Sequence, residues 1–314
     1  MRGIPISALL GLFVTGLFFA VAILAPWIAP YGLGEIVGDI WEPGALGYYL
    51  RPVGAVFEFL GYLVSHLPWH WAEYAGPSPF GFSFDNPPEY WLGTDNLGRD
   101  LLTRMIYGGQ TTIFVASAAT AVSFCLGAIL GFTAAVYGGL TDQTMSRIND
   151  LVMSIPTLIF ALVVLSVMPV TVPVLILVMG LLDSTRVFRL SRAVAVDINV
   201  MDYVEAARLR GEGQRWVIFR EILPNALSPL VAELGLRFIF AILFISTLSF
   251  LGIGIQPPET DWGGIVKENR EGIVYGIPAA LIPAVAIVTL SISVNLVADW
   301  ALNRTTSLKG GRGG

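Results

Sequence analysis

An all-α membrane protein with six transmembrane helices is what three observations in this sequence predict. The chain carries several apolar runs of about 20 residues, the length that crosses a hydrocarbon core of roughly 30 Å. Only 13% of its 314 residues are charged, against about 25% in ordinary soluble domains, and the mean hydropathy is +0.72. The basic residues collect in alternate connections between the runs, as they do when one side faces the cytoplasm.

The first run, 7–29, follows a lone Arg2 and ends at Pro26, Trp27 and Pro30. It exceeds the 7–15 residues of a signal-peptide core and reads as a retained span, so residues 1–30 form the first unit. Residues 31–108 hold no run of spanning length and read as a long extracytoplasmic segment after the first helix. Within it, the apolar stretch 53–67 suits an interfacial helix. His66 and His70 flank Pro68, lack the carboxylate of a zincin pair, and read as interfacial residues. The part 31–90 is expected to form an outer-face cap or docking surface.

The segment closes on Gly93-Thr94-Asp95, then Gly98-Arg99-Asp100. The glycines permit turns, and Asp95, Arg99 and Asp100 can tie them together by charge-assisted hydrogen bonds. The pattern reads as a structural staple. Spans two to four are expected at 110–137, 149–168 and 172–191. Gly127 and Gly131, four apart, give the second span a small-residue face for close helix approach. Cys125, the single cysteine, excludes an internal disulfide and a cysteine-built metal site and is expected in the packing. Asp183 lies inside the fourth span, and Arg186, Arg189 and Arg192 follow at intervals of three, suited to snorkel into a headgroup layer.

Asp202 to Pro224 is an island of charge. Asp202 followed by Glu205 reads as a capping box, and Gly211 suits the left-handed position that ends a helix. The helix of about eight residues between them falls short of the roughly 12–15 at which isolated helices are marginal, so it must lean on something. Ala206 and Ala207 offer a small-residue face. The fifth span, 229–255, contains Glu233 and Arg237, four apart and able to pair. An unpaired arginine there would cost about 2.5–3.5 kcal/mol on insertion scales, so these two and Asp183 are candidates for a translocation pathway or a structural ion pair. Trp262 and Gly263 open an outer-face loop, and the last span, 276–302, precedes a flexible cytoplasmic tail, 303–314.

Six alternating spans place Arg2, Arg147, Arg186, Arg189, Arg192, Arg208, Arg210, Arg215, Arg220, Arg304, Lys309 and Arg312 on one side. Arg51, Arg99, Arg104, Lys267 and Arg270 fall on the other, and Arg237 lies between. The first side is the cytoplasm. The only lysines, Lys267 and Lys309, precede Glu268 and Gly310, so no phosphate-cradling G-x-x-x-x-G-K-[ST] loop exists. Hydrolase and zincin signatures are also missing. Energy for transport must come from a partner or an ion gradient, and no catalytic or metal residue is expected.

Glu205-Ala206-Ala207, Gly211, and Leu223-Pro224 after eleven further residues resemble the EAA loop of binding-protein-dependent ABC importer permeases. One departure is Glu221 where that family usually has isoleucine. The Gly93–Asp100 pattern, Leu248 to Pro258, Trp262-Gly263 and Asn295 to Asp299 resemble the dipeptide/oligopeptide/nickel group. The resemblance implies a five-helix permease core, 109–302, in the plasma (inner) membrane of a prokaryote, with both termini cytoplasmic. It implies half of a heteromeric pore shared with a second permease, two cytoplasmic ATPases that bind ATP and magnesium, and an extracytoplasmic substrate-binding protein. No nucleic acid is implied. Asp202, Tyr203, Glu205, Ala206, Ala207, Gly211, Leu223 and Pro224 become the ATPase-coupling residues. Peptides are the expected cargo, with nickel complexes or oligosaccharides as alternatives. An ion-driven secondary transporter using Asp183, Glu233 and Arg237, or a membrane scaffold, would leave the capped helix without a purpose.

Overall fold

The computed structural model describes residues 5–46 and 90–310, with side chains through residue 303. The expected interfacial helix, the histidine pair and most of the outer cap lie outside the described residues. Within them the chain is helical, apart from turns and two isolated bridges, Ile36–Arg99 and Thr94–Asp100.

The long helices are α1, Ile6–Ile28; α2, Leu101–Tyr137; the bent pair α3, Gly139–Met153, and α4, Thr157–Val167; and α5, Val172–Asn199. The short α6, Asp202–Leu209, precedes α7, Gln214–Leu251. A second short helix, α8, Trp262–Asn269, leads through two 3₁₀ turns to α9, Leu281–Gly310. Among the described residues 4 helices are long and apolar enough to cross a membrane, or 5 if the bent pair counts as one. Helix α5 fails on composition rather than length. Its 28 residues reach about 42 Å, but they include Asp183, Arg186, Arg189, Arg192 and Asp197.

Several expected boundaries shift, each for a local reason. The second span starts at Leu101 instead of 110, because Asp100 caps it by accepting from the Thr103 amide at 2.7 Å. The third, expected over 149–168, is two helices meeting at 82°. Pro156 lacks an amide hydrogen and biases Ile155 away from helical geometry, which breaks the ladder there. The fifth starts at Gln214, fifteen residues before the expected 229. A π turn over Val217–Ile222 opens the hydrogen-bond register just ahead of Pro224, so the helix runs through the proline. The Asn225 side chain donates from Nδ2 to the Glu221 carbonyl there at 2.7 Å. The tail expected to be flexible from 303 continues α9 as helix to Gly310. Cys125 is exposed, not packed.

Helices α2 and α5 pack in parallel through glycine. A Cβ on Gly127 would lie 2.6 Å from the Ser184 carbonyl oxygen, one on Gly131 would lie 2.7 Å from that of Phe188, and one on Gly180 would strike Val122. Ascending numbers on one helix meet ascending numbers on the other. The Asn199 amide reaches the Ala135 carbonyl at 3.5 Å, so both helices finish at one end of the molecule. Val172 starts at the opposite end, beside Tyr107, Gln110 and Glu259. The chain between Tyr137 and Val172 therefore returns from one end to the other, and α3 with α4 is that return.

The remaining core surrounds Trp262. Helix α1 runs against α9, with Gly11 pressed on Ser293 and Val297, and Phe18 meets the Trp262 ring edge-on at 5.6 Å. Leu101, Ile242, Ile265 and Leu290 complete this fully buried cluster.

Candidate functional site

Three groups of predicted residues stand at three levels of the molecule. At one end, α6 lies between the ends of α5 and α7. Its cap differs from the expected box. Met201 is the capping residue and makes no side-chain bond, so Asp202 is the first helical residue and Glu205 the fourth. Both acids still stand in the first turn, where the helix dipole favours negative charge. The C-terminus is a Schellman turn. Gly211 adopts φ 86°, its amide donates to Arg208 at 2.9 Å, and the Glu212 amide donates to Ala207 at 3.2 Å.

Val204 and Ala207 are fully buried, and Val204 joins Ile198 of α5 and Val217, Ile218 and Ile222 of α7 in one apolar cluster. Ala207 therefore faces its own chain, contrary to the expected outward pair of alanines, because α6 needs one face to anchor it. Tyr203, Glu205, Ala206, Arg208 and Leu209 point outward. Burial, and then Glu221, hold the Tyr203 phenol above its ordinary pKa. Arg208 Nη2 donates to Asn199 Oδ1 at 2.5 Å, a further tie to α5. Leu223 and Pro224 lie inside α7, immediately after the π turn.

Midway along the helices the three predicted pathway residues come together. Arg237 Nε donates to Glu233 Oε1 at 2.7 Å, and its Nη1 reaches Asp183 Oδ1 at 3.2 Å across from α5. Arg186, expected at a headgroup layer, joins them at 3.3 Å from Asp183 and 3.4 Å from Thr157 Oγ1 of α4. Arg192 pairs with the first turn of α3, with Nη2 at 2.6 Å from Asp142. Phe240 presents its ring to both Arg186 and Arg237, at 5.9 and 5.0 Å. A cavity of about 230 Å3 opens beside this cluster.

At the other end the staple forms. Asp95 is fully buried and accepts from the Leu97 and Arg99 amides, from Arg99 Nε at 2.7 Å and from Arg104 Nη1 at 2.6 Å. Thr94 Oγ1 bridges the Asp39 carbonyl and the Glu42 amide. Gly93 and Gly98 have φ 82° and 75°, and each presses against backbone, where a side chain would collide. Trp262 and Gly263 are buried in the packing at this same end of the molecule. Trp262 donates from Nε1 to the Met105 carbonyl at 3.0 Å, and a Cβ on Gly263 would lie 2.3 Å from the Ser246 oxygen. Asp261 caps α8 through the Gly263 and Gly264 amides, and burial pushes its carboxyl up to about 7.

The sequence reading passed over Glu268, Asn269, Gly108 and Gly109. Glu268 binds both Arg99 and Arg104 at 2.6 Å, Asn269 accepts from Trp41 and the Asn96 amide, and the glycine pair makes room for Ile265 and Trp262. An Asp followed by Trp-Gly-Gly was the available signal, since that is a helix cap. Among the described residues no group of His, Cys, Asp or Glu is disposed to hold a metal ion.

Long apolar helices, balanced charges between them and a short charged helix docked across two of their ends are the build of a multi-pass membrane transport protein. Residues 97–307 match the family described as the binding-protein-dependent transport system inner membrane component, and the chain belongs to that family. A Brucella suis protein named as a peptide transport system permease is 38% identical over 215 residues, covering 68% of this chain and 72% of the relative. The dipeptide transport system permease protein DppC of Haemophilus influenzae is 30% identical over 293 residues, 93% of this chain and 88% of the relative. The glutathione transport system permease protein GsiD of Pectobacterium atrosepticum is 30% identical, over 73% and 78%. The chain is thus a multi-pass inner-membrane permease. The ion-gradient reading has no support in these findings.

Proposed function

We propose that this permease forms one half of a heteromeric pore that imports di- and oligopeptides, driven by ATP hydrolysis in two cytoplasmic partner subunits. The observation that carries the proposal is the mounting of α6. An eight-residue helix is buried along Val204 and Ala207, fixed to both α5 and α7, and charged on its outward face. Force applied to that face passes directly to two long helices. Glu205, Ala206, Tyr203 and Arg208 then meet the ATPase cleft, while Gly211, Leu223 and Pro224 set the path back into α7. ATP binding draws the two coupling helices of the pore together, and the helices tip from inward- to outward-facing to receive cargo from an extracytoplasmic binding protein. Peptides are favoured over nickel complexes and oligosaccharides because the named relatives transport peptides, dipeptides or glutathione.

Six crossings follow if α1, α2, the bent α3–α4, α5, α7 and α9 each span once. The parallel packing of α2 on α5 supports this count, since it requires a return between them. The distribution of basic residues supports a cytoplasmic side for α6 and both termini, with Asp95, Trp262 and the segment after α1 outside. Liposomes containing the permease pair and ATPases, supplied with binding protein, test the proposal. ATP-dependent accumulation of labelled dialanine, lost when the ATPases are omitted, is the expected result. Uptake by the permease alone would overturn it.

A further inference from the structure

We infer that the cavity beside Asp183, Arg186 and Phe240 is a transit site for a short zwitterionic peptide, which rests on the peptide-importer reading above. It is lined by Thr120, Thr157, Asp183, Arg186, Phe240 and Phe244, among others. At about 230 Å3 it lies below the roughly 300–1,000 Å3 of drug-sized pockets, which suits a two-residue peptide. Groups of both signs open on the same space.

The bond lengths separate framework from exchangeable contacts. Arg237 holds Glu233 at 2.7 Å, comparable with the 2.6–2.7 Å ties of the outer staple. The contacts of the two charged residues that line the cavity, Asp183 and Arg186, are longer. Asp183 Oδ1 lies 3.2 Å from Arg237 and 3.3 Å from Arg186, and Arg186 lies 3.4 Å from Thr157. Asp183 Oδ2 has no hydrogen-bond partner among the described residues. A charge-assisted bond normally closes to about 2.7–2.9 Å, so a ligand can make shorter bonds to these groups than they make to one another. An α-ammonium fits Asp183, and an α-carboxylate fits the fork of Arg186. Phe240 and Phe244 offer an apolar wall for a side chain.

Charge balance argues for the same ligand. Asp183 and Glu233 offset Arg186 and Arg237, and an isolated charge inside a membrane is expensive. A solute carrying one charge would leave the set unbalanced. A zwitterion enters without net charge and replaces each weak internal contact by a stronger one of the same sign.

The test uses the complete transport complex in nanodiscs and a photoreactive dipeptide, photo-leucyl-glycine. Irradiation should label chain segments containing Leu158, Phe240 or Phe244, located by mass spectrometry. Dialanine should suppress that labelling at least tenfold more effectively than N-acetyl-dialanine amide. Asp183→Asn should abolish the preference for a free amino terminus, and Arg186→Gln the preference for a free carboxylate, with Arg186→Lys partly retaining it. ATPase co-purification reports that each variant still assembles. Equal competition by free and blocked dipeptides, or labelling elsewhere, would overturn the site. ATP-driven dialanine uptake, measured in parallel, distinguishes failure of this site from failure of the transport assignment, because only the latter removes uptake.

Discussion

Arg104 and Glu268 lie 164 residues apart in the chain, yet Arg104 Nη1 and Glu268 Oε2 meet at 2.6 Å. The same Nη1 binds Asp95 Oδ2 at 2.6 Å, and Nη2 donates to Thr260 at 3.0 Å. One guanidinium thus joins the loop before α2, the start of α2 itself and the short helix α8. Such pairs contribute little net stability when compared with an apolar replacement, but removing one partner leaves a buried charge.

Asp95→Ala should therefore be severe. It strips an acceptor from Arg99 and from Arg104, whose side chain is 3% exposed, leaving both with the carboxylate of Glu268 alone, and the loss is about 3 kcal/mol, the lower end for a broken buried pair. In a protein of this size that lowers the melting midpoint by about 5 °C or more. Arg104→Met should do less harm, since Asp95 keeps Arg99. Melting curves in detergent decide the matter, and an Asp95 variant as stable as the parent would contradict the staple.

Gly127→Val and Gly131→Val should each separate α2 from α5. Their Cβ atoms would fall within 2.6–2.9 Å of backbone and Cβ atoms on α5, where only a shift of the whole helix relieves the clash. Overpacking of this kind costs about 1–3 kcal/mol or more. Gly16→Ala on α1, with nothing within 4 Å, is the control and should be tolerated. Yield of monodisperse protein and melting temperature give the comparison, and equal behaviour of Gly16 and Gly131 variants would refute the close contact.

Much of this was legible in the sequence, and what was missed has a common cause. Local chemistry was readable. Gly211 ends α6, Gly127 and Gly131 form a helix contact, and Glu233 pairs with Arg237 four residues on, all from spacing alone. The misses depend on partners distant in sequence. Ala207 faces inward because α7 lies beneath it, and Trp262 is buried because Gly108 and Gly109 clear a space on α2. Arg192 turns toward α3 because Asp142, 50 residues earlier in the chain, is within reach. Pro156 was also passed over, and it bends a span by 82°.

Gly211→Pro should abolish ATP-coupled uptake while leaving membrane insertion intact. A proline is fixed near φ −65°, and this position requires 86°. No neighbour crowds Gly211, so the fault is confined to the turn that aims α6. Gly211→Ala should cost about 1 kcal/mol or somewhat more from the same left-handed strain and retain most uptake. Uptake assays alongside a protease-accessibility map of the inserted chain check both outcomes, and full activity in the proline variant would remove α6 from the coupling path.

Asp261 should make stability fall as pH rises. Its carboxyl titrates near 7 in the folded chain against 3.8 ordinarily, chiefly because it is buried, with Glu268 adding repulsion, while bonds to Ser249 and to the Gly263 and Gly264 amides oppose the shift. Between about pH 4 and 7 the folded chain holds a proton that the unfolded chain has released. The stabilisation is thus complete below the unfolded value and lost as pH climbs through the folded one, with a limiting slope of about 1.4 kcal/mol per pH unit. Asp261→Asn keeps one of the two acceptor oxygens that the Gly263 and Gly264 amides use and cannot ionise, so its melting temperature should vary less over this range. Melting series at pH 5, 6, 7 and 8 on both proteins provide the measurement. Parallel curves would mean that Asp261 is already ionised at pH 5, stabilised by its caps more than it is penalised by burial.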